Sequence, residues 1–183
     1  MSLITITHSM GSQGMDIARQ VAEALNLELY DDQRLKEQAL KMGIRAEDLK
    51  GLDEKKPGFF DRLLSSKPEA YQDLIESVVY QVSRGGDGVI VGHGSQILLK
   101  AFDCALHVLV HASESYRIRN IMKHQKLDPE SAQKLIHKGD RDKMGYFRFT
   151  YNLNWDDPSI YDLAVNPEKM GMDVAVKIIT AVA

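Results

Sequence analysis

Apolar positions along the chain switch between two spacings, and the switches mark out the elements. Leu3-Ile4-Thr5-Ile6-Thr7 is a β-branched run that stops at His8-Ser9-Met10-Gly11-Ser12-Gln13-Gly14, so a strand runs into a glycine-bearing loop. Beyond it Ile17, Ala18, Val21, Ala22 and Leu25 fall at i, i+1, i+4, i+5 and i+8, one face of an amphipathic helix. Leu27-Glu28-Leu29-Tyr30-Asp31 predicts a short strand ending in acid, and Asp32 is placed to cap a helix reaching about Met42, before Gly43. Residues 46–68 are charged and broken by Pro57-Gly58 and Ser65-Ser66, which predicts short helices and a flexible excursion on the substrate side. A helix from Pro68 to about Ser83, carried by Leu74, Val78 and Val82, then meets the turn Gly85-Gly86-Asp87-Gly88.

Val89-Ile90-Val91-Gly92 and Ala105 to Val110 are continuous apolar runs, the pattern of parallel strands covered on both faces. A short helix, Ser95 to Ala101, separates them. A second helix, Ser113 to His124, carries Arg117, Arg119 and Lys123, and Asp128-Pro129-Glu130 opens a third that reaches about Lys143. Tyr161 to Asn166 reads as a last strand, and Met172 to Val182 as a closing helix packed by Val174, Ile178 and Ile179. Strands alternating with helices imply a three-layer α/β domain of about five parallel strands joined by right-handed crossovers. Ligands of such sheets bind beyond the carboxyl ends of the strands, where helix N-termini present free N–H groups, and the first loop lies there.

The 183 residues fit a single domain, 1–183, and 44% hydrophobic with 27% charged residues is the composition of a soluble globular protein. A net charge of −3 and a pI near 6.1 argue against a general basic surface for a nucleic-acid polymer, while leaving room for a local basic pocket. No apolar stretch approaches the length of a membrane span, and the expected location is the cytoplasm. The single Cys104, at the edge of an apolar run, excludes a disulfide framework and is expected to be a buried thiol. No Cys/His cluster has the spacing of a zinc site, and assembly into a homo-oligomer is left open.

No window around residues 8–16 satisfies the full phosphate-loop pattern G-x-x-x-x-G-K-[ST]. Gly11 and Gly14 would still let backbone amides approach a phosphate, with the Ser12 hydroxyl as a further donor; the alternative is an ordinary βα turn. The order of segments adds to this. Ile4 to Ala18 with Leu29-Tyr30-Asp31, then Val89-Ile90-Val91-Gly92-His93-Gly94, then Trp155-Asp156-Asp157-Pro158-Ser159 with Tyr161-Asp162-Leu163, resembles the cytidylate kinase-like family from residue 4 to about residue 172. The resemblance implies a P-loop NTPase fold with a helical substrate-side region at about 45–84 and a lid at about 128–158. It implies ATP, aided by Mg²⁺, as phosphoryl donor and a nucleoside monophosphate such as CMP as acceptor, so the expected partners are nucleotides.

Phosphoryl transfer needs positioning and cations around the transferred group. By the same resemblance, Gly11, Ser12, Gln13, Gly14, Met15, Asp16 and Arg119 would hold the ATP complex, Arg117, Arg141 and Lys143 would stabilise the transferring phosphoryl, and Asp31, His93 and Asp162 would meet the acceptor. Gly14 stands where cytidylate kinases carry the loop lysine, and Asp16 where they carry the Mg²⁺-binding Ser or Thr. His8, Met15 and His93 occupy positions that are commonly arginine in the family. His8 and His93 both end predicted strands and could face one site, or be loop histidines. Arg117 and Arg119 fit either a nucleotide contact or a solvated face. The aromatic and basic run Tyr146 to Tyr151 fits base stacking or packing of the lid.

Overall fold

The computed structural model describes residues 2–45 and 68–183; the expected excursion at 46–67 lies outside the described residues. Five strands form one parallel sheet in the order β2-β3-β1-β4-β5. They are β1 (Leu3–His8), β2 (Leu29–Tyr30), β3 (Gly88–Val91), β4 (Ala105–Val110) and β5 (Leu163–Val165). The helices are α1 (Gly14–Leu25), α2 (Asp32–Lys41), α3 (Pro68–Ser83), α4 (Ser95–Leu98), α5 (Glu114–Gln125), α6 (Pro129–Tyr151), α7 (Pro167–Met170) and α8 (Met172–Val182). This is the three-layer α/β architecture that the alternation of elements predicts.

Strand parity divides the core. Ile4 and Ile6 of β1 face α1 and α8, packing with Ile17, Val21, Val176 and Ile179. Leu3 faces the opposite layer with Leu35, Val78, Leu99, Phe147 and Trp155. Successive side chains of a strand take opposite faces, so His8 falls on the α1 side and Thr5 and Thr7 on the other.

Some boundaries shift from the sequence expectation, each for a local reason. Asp31, not Asp32, caps α2: its backbone is extended and its carboxylate accepts from Arg34 N at 3.1 Å. The helix expected to end near Lys143 continues to Tyr151, because buried Tyr146 and Phe147 anchor two more turns before Asn152 closes it in the left-handed conformation. Those rings pack on each other and on Tyr151, so the aromatic run is core, with Phe149 its exposed exception. The last strand shortens to Leu163–Val165 because a 3₁₀ turn occupies Pro158–Ile160. Cys104 sits before β4 and is exposed, a correction to the expected buried thiol. Among the described residues no helix is long and apolar enough to cross a membrane.

Candidate active site

The β1–α1 loop lies where the chain leaves the central strand, at the carboxyl edge of the sheet. It is braced from β4: Ser9 N donates to Val110 O at 3.0 Å, and the Ser12 hydroxyl donates to Ser9 O at 2.8 Å and Val110 O at 3.3 Å. Ser12 is fully buried, so its hydroxyl shapes the loop rather than extending into the crevice. Gly11 has φ +81°, and a Cβ there would lie 2.7 Å from the backbone oxygen of Arg117. Gln13 takes the left-handed region at φ 65° without the freedom of glycine, and its side-chain carbonyl accepts from the Tyr116 hydroxyl. No side chain caps α1, whose first amides, from Gly14 to Asp16, lack intrahelical acceptors and supply the positive end of the helix dipole. Met15 is half-buried against the α1 core, and Asp16 pairs with Arg19 at 3.2 Å on the surface.

Helix α5 presses on this loop. Asn120 Nδ2 donates to Gly11 O at 2.9 Å, and Tyr116 reaches Gln13 one turn earlier. Sequence reasoning missed both; their i, i+4 spacing on a helix that follows an interior strand was the available signal. Met10 enters a small core formed by Ile121, Ala132 and Ile136 of α5 and α6, and a Cβ on Gly139 would come within 3.0 Å of its methyl group. Arg117 is buried and forks onto Asp140 at 3.1 and 2.6 Å, tying the two helices together. Burial holds the Asp140 carboxyl above its ordinary range, against the pull of Arg117, Lys143 and His137. The Arg117 guanidinium is thus committed to Asp140 of α6. Arg119 is exposed, lying over the Tyr116 ring at 5.8 Å and 3.8 Å from Glu168.

Lys143 reaches back from α6 to the loop, donating to His8 O at 3.1 Å with its ammonium 5.1 Å from the Trp155 ring centre. Arg141 is exposed on the same helix and, among the described residues, makes no hydrogen bond or ion pair. Of the cations singled out on α6, Lys143 is therefore the one the fold brings to the β1–α1 loop.

The second glycine-ended strand makes a tighter feature. Gly92, His93 and Gly94 all have positive φ, at 78°, 56° and 69°. His93 is buried and its Nε2 lies 2.8 Å from Asp32 Oδ1 at the start of α2. A non-glycine residue held between two left-handed glycines is a sparsely populated conformation that the surrounding packing must enforce. Sequence reading placed His93 here but assigned the acceptor side to Asp31, whose carboxylate caps α2, and took Asp32 for the cap. Gly94 lies against Tyr151, where a Cβ would approach the ring to 2.7 Å. Asp162 is turned to the sheet: its Oδ2 accepts from His107 N at 2.8 Å, and its own N donates to His107 O at 2.8 Å.

Between these features runs a buried polar chain. Thr7 donates to Gln96 Oε1 at 3.1 Å, Gln96 Nε2 donates to the Tyr161 hydroxyl at 3.2 Å, and that hydroxyl donates to Trp155 O. Burial pushes the Tyr161 phenol well above its ordinary range, so it remains a donor. The chain ties the Trp155 segment, and with it the surface under Lys143, to the central strand.

The fold, the loop and the ordered segments can be set beside known proteins. Residues 3–169 match the cytidylate kinase-like family. A cytidylate kinase of Pyrobaculum islandicum is 25% identical over 179 residues, 97% of this chain and 90% of that one. The solved structure of an uncharacterized protein from Eubacterium ventriosum superposes with a TM-score of 0.74 at 20% identity, covering 98% of this chain and 96% of that one. A shikimate kinase from Bacteroides thetaiotaomicron superposes at 0.58 and 11% identity, covering 99% and 97%, a likeness of fold. With the match running from the first strand to the helix after the last, this chain belongs to the cytidylate kinase-like family.

Proposed function

We propose that the protein transfers the γ-phosphoryl group of ATP to a nucleoside monophosphate of the CMP type. The observation that carries this reading is Lys143, whose ammonium stands 3.1 Å from the carbonyl that opens the β1–α1 loop. There it can neutralise phosphate oxygens cradled by the amides at the start of α1. Family membership and the kinases among the relatives support the reaction class. In this reading Arg141 and Arg119, both exposed beside the lid, close on the phosphates and base, and the Asp32–His93 pair faces the acceptor.

Mg²⁺ would enter with the triphosphate, since such sites use one or two carboxylates and the substrate phosphates rather than a protein cage. Asp16, in the first turn of α1, is the carboxylate that would hold the ion by exchanging Arg19 for it. When bound, the ion neutralises charge on the transferring phosphoryl.

A second reading, a nucleotide sensor that binds without turnover, draws on Arg117. Its guanidinium is committed to Asp140, while Gly14 and Met15 add no charge to the loop. Calorimetric titration of the wild-type protein and Lys143→Ala with ATP and Mg²⁺ tests the binding site. Wild-type binding weakened about tenfold by the substitution is expected for a lost charge-assisted contact. Equal affinity for both proteins would remove Lys143 from the site.

A further inference from the structure

The ammonium of Lys143 is held by a carbonyl and a ring rather than by an acid. The carboxylates that flank it in sequence are taken by other cations: Asp140 by the fork of Arg117, and Asp142 by Lys138 at 2.8 Å. Lys143 is half-buried and makes no ion pair among the described residues. Its Nζ donates to His8 O at 3.1 Å and stands 5.1 Å from the centre of the Trp155 ring. That separation is within reach of a cation–π attraction, in which the negative face of the indole draws a cation without cancelling its charge.

The ring itself is firmly seated. Trp155 is 5% exposed, yet its indole N–H makes no hydrogen bond among the described residues. A buried indole N–H ordinarily finds an acceptor, so this ring is kept for its faces rather than for its donor. It belongs to the core cluster of Leu99, Tyr146 and Phe147. Its backbone carbonyl accepts from the Tyr161 hydroxyl, which Gln96 and Thr7 tie to β1. The return of the chain from α6 is fixed as well: Leu153 N donates to Phe147 O at 3.4 Å, and Arg148 Nε donates to Asn154 Oδ1 at 3.0 Å. The indole is therefore a platform fastened both to the central strand and to the helix that carries Lys143.

We propose that Trp155 is a positioning residue for phosphoryl transfer, its ring confining the Lys143 ammonium at the β1–α1 loop while leaving it charged. A long lysine stem loses rotamer freedom when its end is fixed, and a ring that already holds the ammonium lowers that loss when nucleotide binds. One of the three N–H donors goes to His8 O, and a ring face, unlike a carboxylate, leaves the positive charge available to phosphate oxygens. Trp155 acts only through Lys143 and takes part in no covalent step. The inference rests on the role given to Lys143 in the proposed function.

A double-mutant cycle tests it. ATP with Mg²⁺ is titrated calorimetrically into wild-type protein, Trp155→Leu, Trp155→Phe, Lys143→Met and the double variant Trp155→Leu/Lys143→Met, with thermal melting to establish that each is folded. Trp155→Leu keeps apolar bulk but removes the ring face, and should weaken binding about three- to tenfold, the range of a partly desolvated cation–π contact. Trp155→Phe should lose less, since a phenyl face is the weaker partner, and it replaces the leucine variant in the cycle if that variant does not fold. In the Lys143→Met background the same substitution at Trp155 should change affinity by less than about twofold, because the ring then has no cation to place. The chain has a single tryptophan, so its emission gives a direct reading: Lys143→Met should displace the emission maximum of the nucleotide-free protein. Wild-type affinity in both Trp155 variants, an equal loss with and without Lys143, or an unmoved emission maximum would overturn the inference while leaving the proposed function intact. Undiminished binding by Lys143→Met would overturn the role of Lys143 and the inference with it, and absence of nucleotide binding by the wild-type protein would overturn both.

Discussion

Gln13 holds φ 65° in a turn where glycine would adopt that angle without strain. The Tyr116 hydroxyl anchors its side chain, so the residue is fixed by one hydrogen bond from a neighbouring helix. Tyr116→Phe should destabilise the protein by about 1 kcal/mol, the usual worth of such a bond. Adding Gln13→Gly should return most of that loss by removing left-handed strain. Urea unfolding of wild type and the two variants measures it, and a Tyr116→Phe midpoint equal to wild type would refute the anchoring. Single residues were unevenly legible in the sequence. His8 and His93 were recognisable because they follow apolar strand runs; parity fixes the face of His8, the last residue of β1, but not of His93, which lies two residues past β3 in a left-handed turn. Ser12 read as a phosphate donor because hydroxyls in glycine loops commonly serve that way; that it turns inward to Val110 O depends on β4 being adjacent, which no local pattern reports.

At the scale of elements, α5 and α6 form a hairpin with its own small core around Ile121, Ala132 and Ile136, plugged by Met10 of the β1–α1 loop. The Arg117–Asp140 fork is the polar counterpart of that core. Removing one member strands the other in a poorly solvated site, so Asp140→Ala is expected to cost about 2–3 kcal/mol, below the range for fully buried pairs because Asp140 keeps some solvent contact. Arg117→Met/Asp140→Leu should be markedly less destabilised than Asp140→Ala, as two apolar groups leave nothing unpaired. Additive losses in a chemical denaturation series would contradict this. The helices were legible by their spacing, but the end of α6 was not. After Lys143 come Gly145 and the aromatic run Tyr146 to Tyr151, residues of modest helix propensity, and the rings that prolong the helix, Tyr146 and Phe147, are buried in the cluster that also holds Ile75, Val78 and Trp155. Helix propensity cannot anticipate contacts made by elements distant in sequence.

Across the whole molecule, the order β2-β3-β1-β4-β5 puts the β1 and β3 ends side by side, so the β1–α1 loop and the Gly92-His93-Gly94 turn lie at the same edge of the sheet. The parallel sheet was legible because its interior strands are continuous apolar runs. The grouping of residues at that edge was legible only as a direction, toward the carboxyl ends, since the Asp32–His93 pair joins residues 61 apart in sequence. The same sheet holds a pH-sensitive ring. His107, in β4, meets Thr5 Oγ1 at 2.8 Å, and burial keeps its pKa below the ordinary value, against Asp162 and the Leu99 backbone. The fold thus favours the neutral ring, whereas the unfolded chain takes up a proton near pH 6.5. This contribution to stability is present above about pH 6.5 and is lost as the pH falls toward the depressed folded value. Urea midpoints at pH 7.5 and 5.5 should converge in His107→Gln relative to wild type, and an unchanged gap would refute it. The central claim concerns phosphoryl transfer, and its most direct measurement is ADP release from ATP and Mg²⁺ by the wild-type protein in the presence of CMP, UMP, dCMP, AMP or GMP. The account predicts acceptor-dependent release that is strongest with CMP and lost in Lys143→Ala; nucleotide binding with no acceptor-dependent release would contradict it.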